Sequence, residues 1–177
     1  KVLFNISILS LVLTSFSSLP NWLHSSLYIF AGLACLIQQS FWRPYLAMKK
    51  MIIGLLHLSY FLFSFSLMFL GLSSLFKNLA SFQSDIHLLL TGAVSIIGMN
   101  MMIRASLGHT GNKLHFTPFL YSIFICLIIG ALLRTFIPLF FPTIAIASYH
   151  YSMGFWTLGY IFYLIKFVPL VIKARKE

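Results

Sequence analysis

Long apolar stretches separated by short polar joints run along the chain from its first residue to its last. A helix needs roughly 20 mostly apolar residues to cross a hydrocarbon core about 30 Å thick. Six stretches reach or approach that length: 2–19, 22–40, 51–76, 85–104, 116–138 and 144–170. Because a backbone in lipid must satisfy its own hydrogen bonds, each stretch predicts a helix. The pattern predicts an all-α fold, a polytopic transmembrane helix bundle of about six spans, in one domain of residues 1–177.

The joints carry residues that end helices. Pro20 and Asn21 form a turn, a basic loop ends at Lys50, and polar residues fill 77–84. Residues 108–113 hold two glycines and an asparagine, and two prolines bracket 138–142. No internal repeat is evident in the sequence, although the pattern is compatible with helices that pack in pairs.

Composition supports the membrane interpretation. The chain is 60% hydrophobic and 8% charged, with a mean hydropathy of +0.97, whereas soluble domains contain about 25% charged residues. The apolar excess excludes disorder, and two cysteines are too few for a secreted disulfide framework. Nineteen Phe, eight Tyr and three Trp suit a lipid solvent. The chain is therefore predicted to be an integral membrane protein in contact with the lipid bilayer.

The formal net charge of +10 orients the bundle. With six crossings, most Lys and Arg residues fall at one membrane face: Lys1, Arg43, Lys49, Lys50, Arg104, Lys113, Lys173, Arg175 and Lys176. The opposite face receives Lys77 and Arg134. The positive-inside rule then predicts that both ends of the chain lie in the cytoplasm. The same distribution along span ends argues against a nucleic-acid partner.

Ionisable residues inside spans are costly and therefore candidates for function. The candidates are His57, His87, Arg104, His109, His115, Arg134 and His150. The position of each candidate along its predicted helix gives its depth in the membrane, and these depths divide the candidates into two groups. The inner group contains His57, Arg104 and His109, with Lys113 and His115 further out. The outer group contains Asp85, His87, Arg134 and His150, beside Tyr149 and Tyr151. His87 and Arg104 are roughly 25 Å apart along one helix, so they cannot share a small ligand.

Each candidate also has a structural interpretation. His57 and His87 are either ligands for iron or copper, which imidazole suits, or side chains hydrogen-bonded to a neighbouring helix. Arg134 pairs with Asp85 or with the propionates of a haem, or it extends to the outer head groups. The three thioethers of Met99, Met101 and Met102 suit copper chemically, but their helical spacing favours packing. Two cysteines within the spans, Cys35 and Cys126, are interpreted as small apolar residues.

One segment carries a family resemblance. Residues 87–112 read HLLLTGAVSIIGMNMMIRASLGHTGN, with RASLGHTG as the most specific run. This segment resembles the central signature of the NnrS family, polytopic bacterial membrane proteins linked to nitric oxide metabolism and denitrification. The preceding LHLSY at 56–60 and the later ALLR at 131–134 are similar to the same family. The resemblance extends from about Trp42 to the end of the chain.

The resemblance implies a haem- and copper-containing protein of the bacterial inner membrane that relieves nitrosative stress, with nitric oxide as its ligand. His57, His87 and His109 become the ligand candidates for haem or copper, and Arg104 and Arg134 are the matching charged positions. Family members are about twice as long and carry a histidine-rich segment in their N-terminal half. Nothing similar occurs in this sequence, so we expect a C-terminal half, completed by an N-terminal half or by a second copy of the chain.

Three hypotheses follow. The first is an NnrS-type membrane protein that holds haem or copper through histidines and binds or senses the gas. The second is a transporter or metal-handling permease whose path is formed by the same histidines and arginines. The third is a scaffold without a cofactor, in which the polar residues only join helices.

Overall fold

A computed structural model describes residues 2–14, 19–47, 50–76, 86–111 and 117–172, and every regular element in these ranges is helical. The helices are α1 (Val2–Leu13), α2 (Asn21–Phe41), α3 (Pro44–Ala47), α4 (Met51–Leu75), α5 (Leu88–His109), α6 (Pro118–Phe140) and α7 (Ala145–Ile172). A 3-10 turn, Pro142–Ile144, joins α6 to α7. The predicted all-α class is confirmed.

Proline begins several of these helices. The first residues of α3 and α6 are Pro44 and Pro118, and Pro142 opens the 3-10 turn. Proline suits a first helical position because its missing N–H would have no partner inside the helix. Two prolines at predicted joints, Pro44 and Pro142, are therefore helix starts, whereas Pro138 lies inside α6.

Four helices of the described chain are long and apolar enough to cross a membrane: Met51–Leu75, Leu88–His109, Pro118–Phe140 and Pro142–Ile172. They overlap four of the six predicted spans. The other two predicted spans coincide with α1 and α2, which contain 12 and 21 residues. The prediction of a polytopic helix bundle is confirmed, while the count of six spans stays a prediction.

Helices α2 and α4 form an antiparallel pair with a glycine at each of two close contacts. A Cβ added at Gly32 of α2 would lie 2.7 Å from the Ser64 carbonyl oxygen of α4. In the same way, a Cβ at Gly71 of α4 would lie 2.6 Å from the Ser25 carbonyl oxygen of α2. Ser25 precedes Gly32 by seven residues on α2, and Ser64 precedes Gly71 by seven residues on α4. Only glycine lets the two backbones approach this closely.

Helices α6 and α7 repeat this register. Gly130 of α6 faces the Ser152 carbonyl of α7, and Gly159 of α7 faces the Ile123 carbonyl of α6. The spacing from contacted carbonyl to glycine is again seven residues on each helix. The molecule thus contains a structural repeat, two glycine-paired hairpins, that is not evident in the sequence.

Helix α5 lies between the two hairpins. The buried side-chain amide of Asn100 donates a hydrogen bond of 2.8 Å to the Ile52 carbonyl of α4. On its other side, Ser106 is hydrogen-bonded to Tyr163 of α7. The core around α5 consists of Leu55, Ile96, Met99, Ile103, Leu107, Leu120, Ile123, Phe124, Leu127 and Phe167.

These contacts fix the relative directions of the helices. Helix α5 is antiparallel to α4, because a Cβ at Gly92 would lie 3.7 Å from Leu62 of α4, whereas the later Asn100 bonds the earlier Ile52. It is parallel to α7, because Ser95 and Ser106 of α5 bond Trp156 and Tyr163 of α7 in the same order. The connection between α2 and α4 therefore lies at one end of the bundle, and the connection between α6 and α7 lies at the other. We name the end where α4 begins the inner end, and the end where α6 meets α7 the outer end.

Candidate functional site

The first seven residues of α5, Leu88–Val94, form a π-helix directly after His87. The hydroxyl of Thr91 donates a hydrogen bond of 2.6 Å to the His87 carbonyl, and Ser95 donates one to the Leu90 carbonyl, five residues earlier. Short π segments occur frequently at functional sites, because the wider turn changes the direction of nearby side chains. In this chain the π segment directly follows the histidine at the outer end of α5.

Three side chains from three helices meet at that outer end, and we name His87, Arg134 and Tyr149 the outer cluster. The His87 and Tyr149 rings are edge to face, with centroids 6.4 Å apart. The Arg134 guanidinium carbon lies 4.9 Å from the centroid of the Tyr149 ring, in cation–π range. The structure thus brings together three members of the outer group that depth along the helices predicted.

Two other members of the predicted outer group are not part of this contact. His150 is exposed, and its Nδ1 lies 2.8 Å from the Ile146 carbonyl of its own helix. Asp85 lies outside the described residues. The outer cluster in the described chain is therefore composed of aromatic and basic groups.

The electrostatics of the outer cluster favour a neutral histidine. His87 precedes the first residue of the apolar span Leu88–His109. Burial lowers the pKa of His87 below its ordinary value, and the positive charge of Arg134 lowers it further. Both causes penalise the imidazolium form. At neutral pH, His87 therefore offers one N–H donor and one nitrogen acceptor.

Near the inner end, His57 of α4 packs against α2. The side-chain amide of Gln39 donates a hydrogen bond of 2.6 Å to the His57 carbonyl. The Trp42 ring is edge to face with the imidazole, at 6.2 Å between centroids. Nδ1 of His57 is buried and has no hydrogen-bond partner among the described residues. A buried, unpaired imidazole nitrogen is costly, so this position is suited to binding a further group.

His57 is also one of the residues that line a cavity of about 530 Å³. Its lining consists of Leu36, Gln39, Ser40, Pro44, His57, Leu58 and Phe61, so its walls come from α2, α3 and α4. Cofactor pockets have about this size, and they combine apolar walls with a few polar groups. A smaller apolar cavity of about 230 Å³ lies between α4 and α5 beside Tyr60.

The other inner candidates lie away from this cavity. Arg104 and His109 of α5 are both exposed. Asn100 is level with Ile52, so Arg104 and His57 are offset by about 13 Å along the bundle, at about 1.5 Å per residue. Lys113 and His115 lie outside the described residues. Within the described ranges, no group of three or more His, Cys, Asp or Glu side chains is arranged to hold a metal ion.

Sequence reasoning missed several residues around His57. Gln39 anchors its backbone, Trp42 packs on its ring, and Tyr60 packs on Trp42 with centroids 5.0 Å apart. The pair of glutamines in the apolar helix α2, Gln38 and Gln39, was an available signal, since uncharged amides within a span bond across helices. Trp42 offered no comparable signal, because tryptophan at a span end is common.

The methionines support the packing interpretation. Met99 is fully buried in the core beside α6 and α7, whereas Met101 and Met102 are 46% and 39% exposed. Three sulfur atoms on different sides of one helix do not converge on one ion.

The fold is that of a polytopic helical membrane protein, with His57 toward the inner end and His87 at the outer end of its bundle. The model of the NnrS family, described as NnrS protein, matches residues 1–175. The chain belongs to the NnrS family. The match includes α1 and α2, whereas the resemblance read from the sequence begins at about Trp42. No curated protein and no solved structure matches the chain.

Proposed function

We propose that this chain is an NnrS-type membrane haem protein that binds nitric oxide in nitric oxide metabolism or nitrosative stress, with His57 as the haem ligand. One observation carries the proposal: His57, whose Nδ1 is buried without a hydrogen-bond partner among the described residues, is one of the residues that line an apolar cavity of about 530 Å³. Membership of the NnrS family agrees with this assignment.

The residues at this cavity fit a haem. Leu36, Leu58 and Phe61 supply apolar walls for a flat macrocycle, and the imidazole of His57 is a common axial ligand of haem iron. The Gln39 hydrogen bond holds the His57 backbone against α2, and the Trp42 ring packs edge to face on the imidazole. A haem held there would supply an iron atom that binds nitric oxide.

The described residues do not fit a copper ion equally well. Copper sites in proteins need several nitrogen or sulfur ligands around one point, and no such group of three is present in the described ranges. His109 is exposed at the end of α5, and His87 lies beside the positive charge of Arg134. Copper binding by His57, His87 and His109 therefore stays a prediction, and the proposed function assigns copper no role.

His57→Ala is the direct test of haem ligation. We expect the detergent-purified variant to contain at least about tenfold less haem per protein than the parent, because the iron loses its protein ligand. Absorption in the Soret region and iron content measure this directly. In the parent, the Soret band is expected to shift on addition of nitric oxide.

His150→Ala is the matched control, since His150 is an exposed histidine bonded to its own helix. Leu58→Trp is a second variant, which fills the cavity while keeping the imidazole, and it should also lower the haem content. Equal haem in the His57 and His150 variants, or a folded parent without haem, would refute the assignment.

A second candidate function is transport. The two hairpins have the same glycine register and open toward opposite ends of the bundle, a relation found in transporters built from inverted repeats. Both cavities, however, are lined almost entirely by apolar surface, which suits a cofactor better than an ion path. Flux of metal ions into proteoliposomes, with a chain that carries no haem, would favour a permease.

A further inference from the structure

The outer cluster contains a positive charge that the described residues leave unbalanced. The chain has only two acidic residues, Asp85 and Glu177, and both lie outside the described ranges. Arg134 is half-buried on the span α6, where an uncompensated guanidinium is costly. Charges in such an environment are paired with an anion or a carboxylate.

The geometry of the cluster suits a bound anion. Tyr149 covers one side of the Arg134 guanidinium, at 4.9 Å from the ring centroid. The planar guanidinium directs its five N–H donors around its edge, so stacking on a ring leaves those donors available. His87 approaches the same tyrosine ring from α5 and adds a neutral imidazole with one N–H donor.

The same arrangement argues against a metal ion at His87. A metal cation would lie close to the guanidinium, and the two positive charges would repel each other in a medium of low dielectric constant. An oxyanion at this position is attracted by Arg134 and accepts hydrogen bonds from both side chains. Charge-assisted, bidentate contacts are the usual means by which arginine recognises phosphate and carboxylate.

We propose that Arg134 and His87 form a binding site for an oxyanion of the phosphate class at the outer end of the bundle, with Tyr149 positioning the arginine. Arg134 lies six residues before the end of α6, about 9 Å along the helix. A dissolved anion and the phosphate of a lipid head group both supply this chemistry from the outer interface. The site is separate from the cavity at His57 and does not depend on haem.

The test measures thermal unfolding of the purified full chain in a neutral detergent. Inorganic phosphate is compared with chloride at equal ionic strength, and micelles with phosphatidylglycerol are compared with micelles containing phosphatidylcholine. We expect the melting temperature of the parent to rise with phosphate, with phosphatidylglycerol, or with both. Arg134→Gln should raise the half-saturating concentration by at least about tenfold.

The control is Arg104→Gln, which removes an exposed arginine of a neighbouring span and should leave the response unchanged. Arg134→Lys and Tyr149→Leu are further variants in case Arg134→Gln does not fold. Lysine at position 134 keeps the positive charge but lacks the planar set of N–H donors of arginine. Leucine at position 149 removes the aromatic ring that stacks on the guanidinium. Both variants should therefore show a smaller rise in melting temperature.

The two arms distinguish the sources of the anion. A response to inorganic phosphate alone identifies a dissolved anion, and a response to phosphatidylglycerol alone identifies a head group. A response to both means that the site accepts the phosphate group from either source. Three results would overturn the proposal: no response in the parent, equal loss in the Arg104 and Arg134 variants, or a response that appears only in Asp85→Asn. The last result would mean that Asp85 already neutralises the arginine.

Discussion

At the scale of single residues, hydroxyl groups in this bundle have two distinct roles. Ser64 and Ser66 donate hydrogen bonds to carbonyls one turn earlier in their own helix, at 2.9 and 2.6 Å. Such bonds satisfy the hydroxyl without specifying a neighbour. Ser106 and Ser95 instead bond Tyr163 and Trp156 of α7, so they determine how α5 meets that helix.

The Ser106–Tyr163 pair provides a prediction at this scale. Because α5 and α7 share this 2.8 Å hydrogen bond, a double-mutant cycle of Ser106→Ala and Tyr163→Phe should give a favourable coupling of about 0.6 kcal/mol, typical of bonds between membrane helices. The free energy of unfolding of each variant, measured in mixed micelles with increasing dodecyl sulfate, gives this coupling energy. Tyr151→Phe, at an exposed tyrosine, should show no coupling with Ser106→Ala, and zero coupling for Tyr163 would contradict the assigned bond.

At the scale of elements, close backbone contact determines which helices pair. The two glycine hairpins share one register, but their clearances differ: an added Cβ would be 2.7 Å from a carbonyl oxygen at Gly32 and 3.1 Å at Gly130. A Cβ at Gly154 of α7 would meet nothing within 4 Å. Steric demand therefore differs among glycines of otherwise similar helices.

This difference predicts a graded response to alanine. Gly32→Ala should lower the free energy of unfolding by about 1–3 kcal/mol, because α2 and α4 must move apart. Gly130→Ala should cost less, and Gly154→Ala should be neutral or stabilising by up to about 1 kcal/mol, since alanine favours helix. The same micelle titration measures all three, and equal effects at Gly32 and Gly154 would exclude a tight α2–α4 contact.

At the scale of the whole molecule, charge is distributed unequally between the two ends. Among the described residues, Arg43, Lys50, Arg104 and Lys166 lie toward the inner end, where α4 begins and α5 and α7 end, and Arg134 lies toward the outer end. Helix directions established by contacts therefore agree with the asymmetry read from the sequence. The positive-inside rule predicts that this basic end faces the cytoplasm, and we propose that orientation.

Cysteine labelling tests this orientation. In intact spheroplasts, a membrane-impermeant maleimide should label Thr143→Cys, at the exposed turn between α6 and α7, and should label Lys50→Cys only after permeabilisation. The parent chain is the background control, because Cys35 is buried and Cys126 lies within the span α6. Labelling of Lys50→Cys alone in intact spheroplasts would reverse the proposed topology.

The sequence predicted the helices and part of the candidate site. Four predicted spans coincide with helices long enough to cross a membrane, and depth along those helices grouped His87 with Arg134 and Tyr149, which are in contact. Depth alone did not predict the surroundings of His57. Gln39 and Trp42 contact His57 because α2 packs on one particular face of α4. Since α4 is apolar on nearly all sides, its hydropathy pattern does not indicate which face contacts α2.

The sequence by itself determined that the chain lies in a membrane and that it is helical. A chain with 60% hydrophobic and 8% charged residues is placed in lipid, where the backbone N–H and C=O groups must form their hydrogen bonds within helices. It also determined which end of each helix is basic. Only the tertiary structure decided the helix pairs, the π-helical start of α5, the cavity at His57 and the contact of Arg134 with Tyr149. In lipid, apolar faces are nearly equivalent, so steric fit at glycines and a few hydrogen bonds between helices select the neighbours.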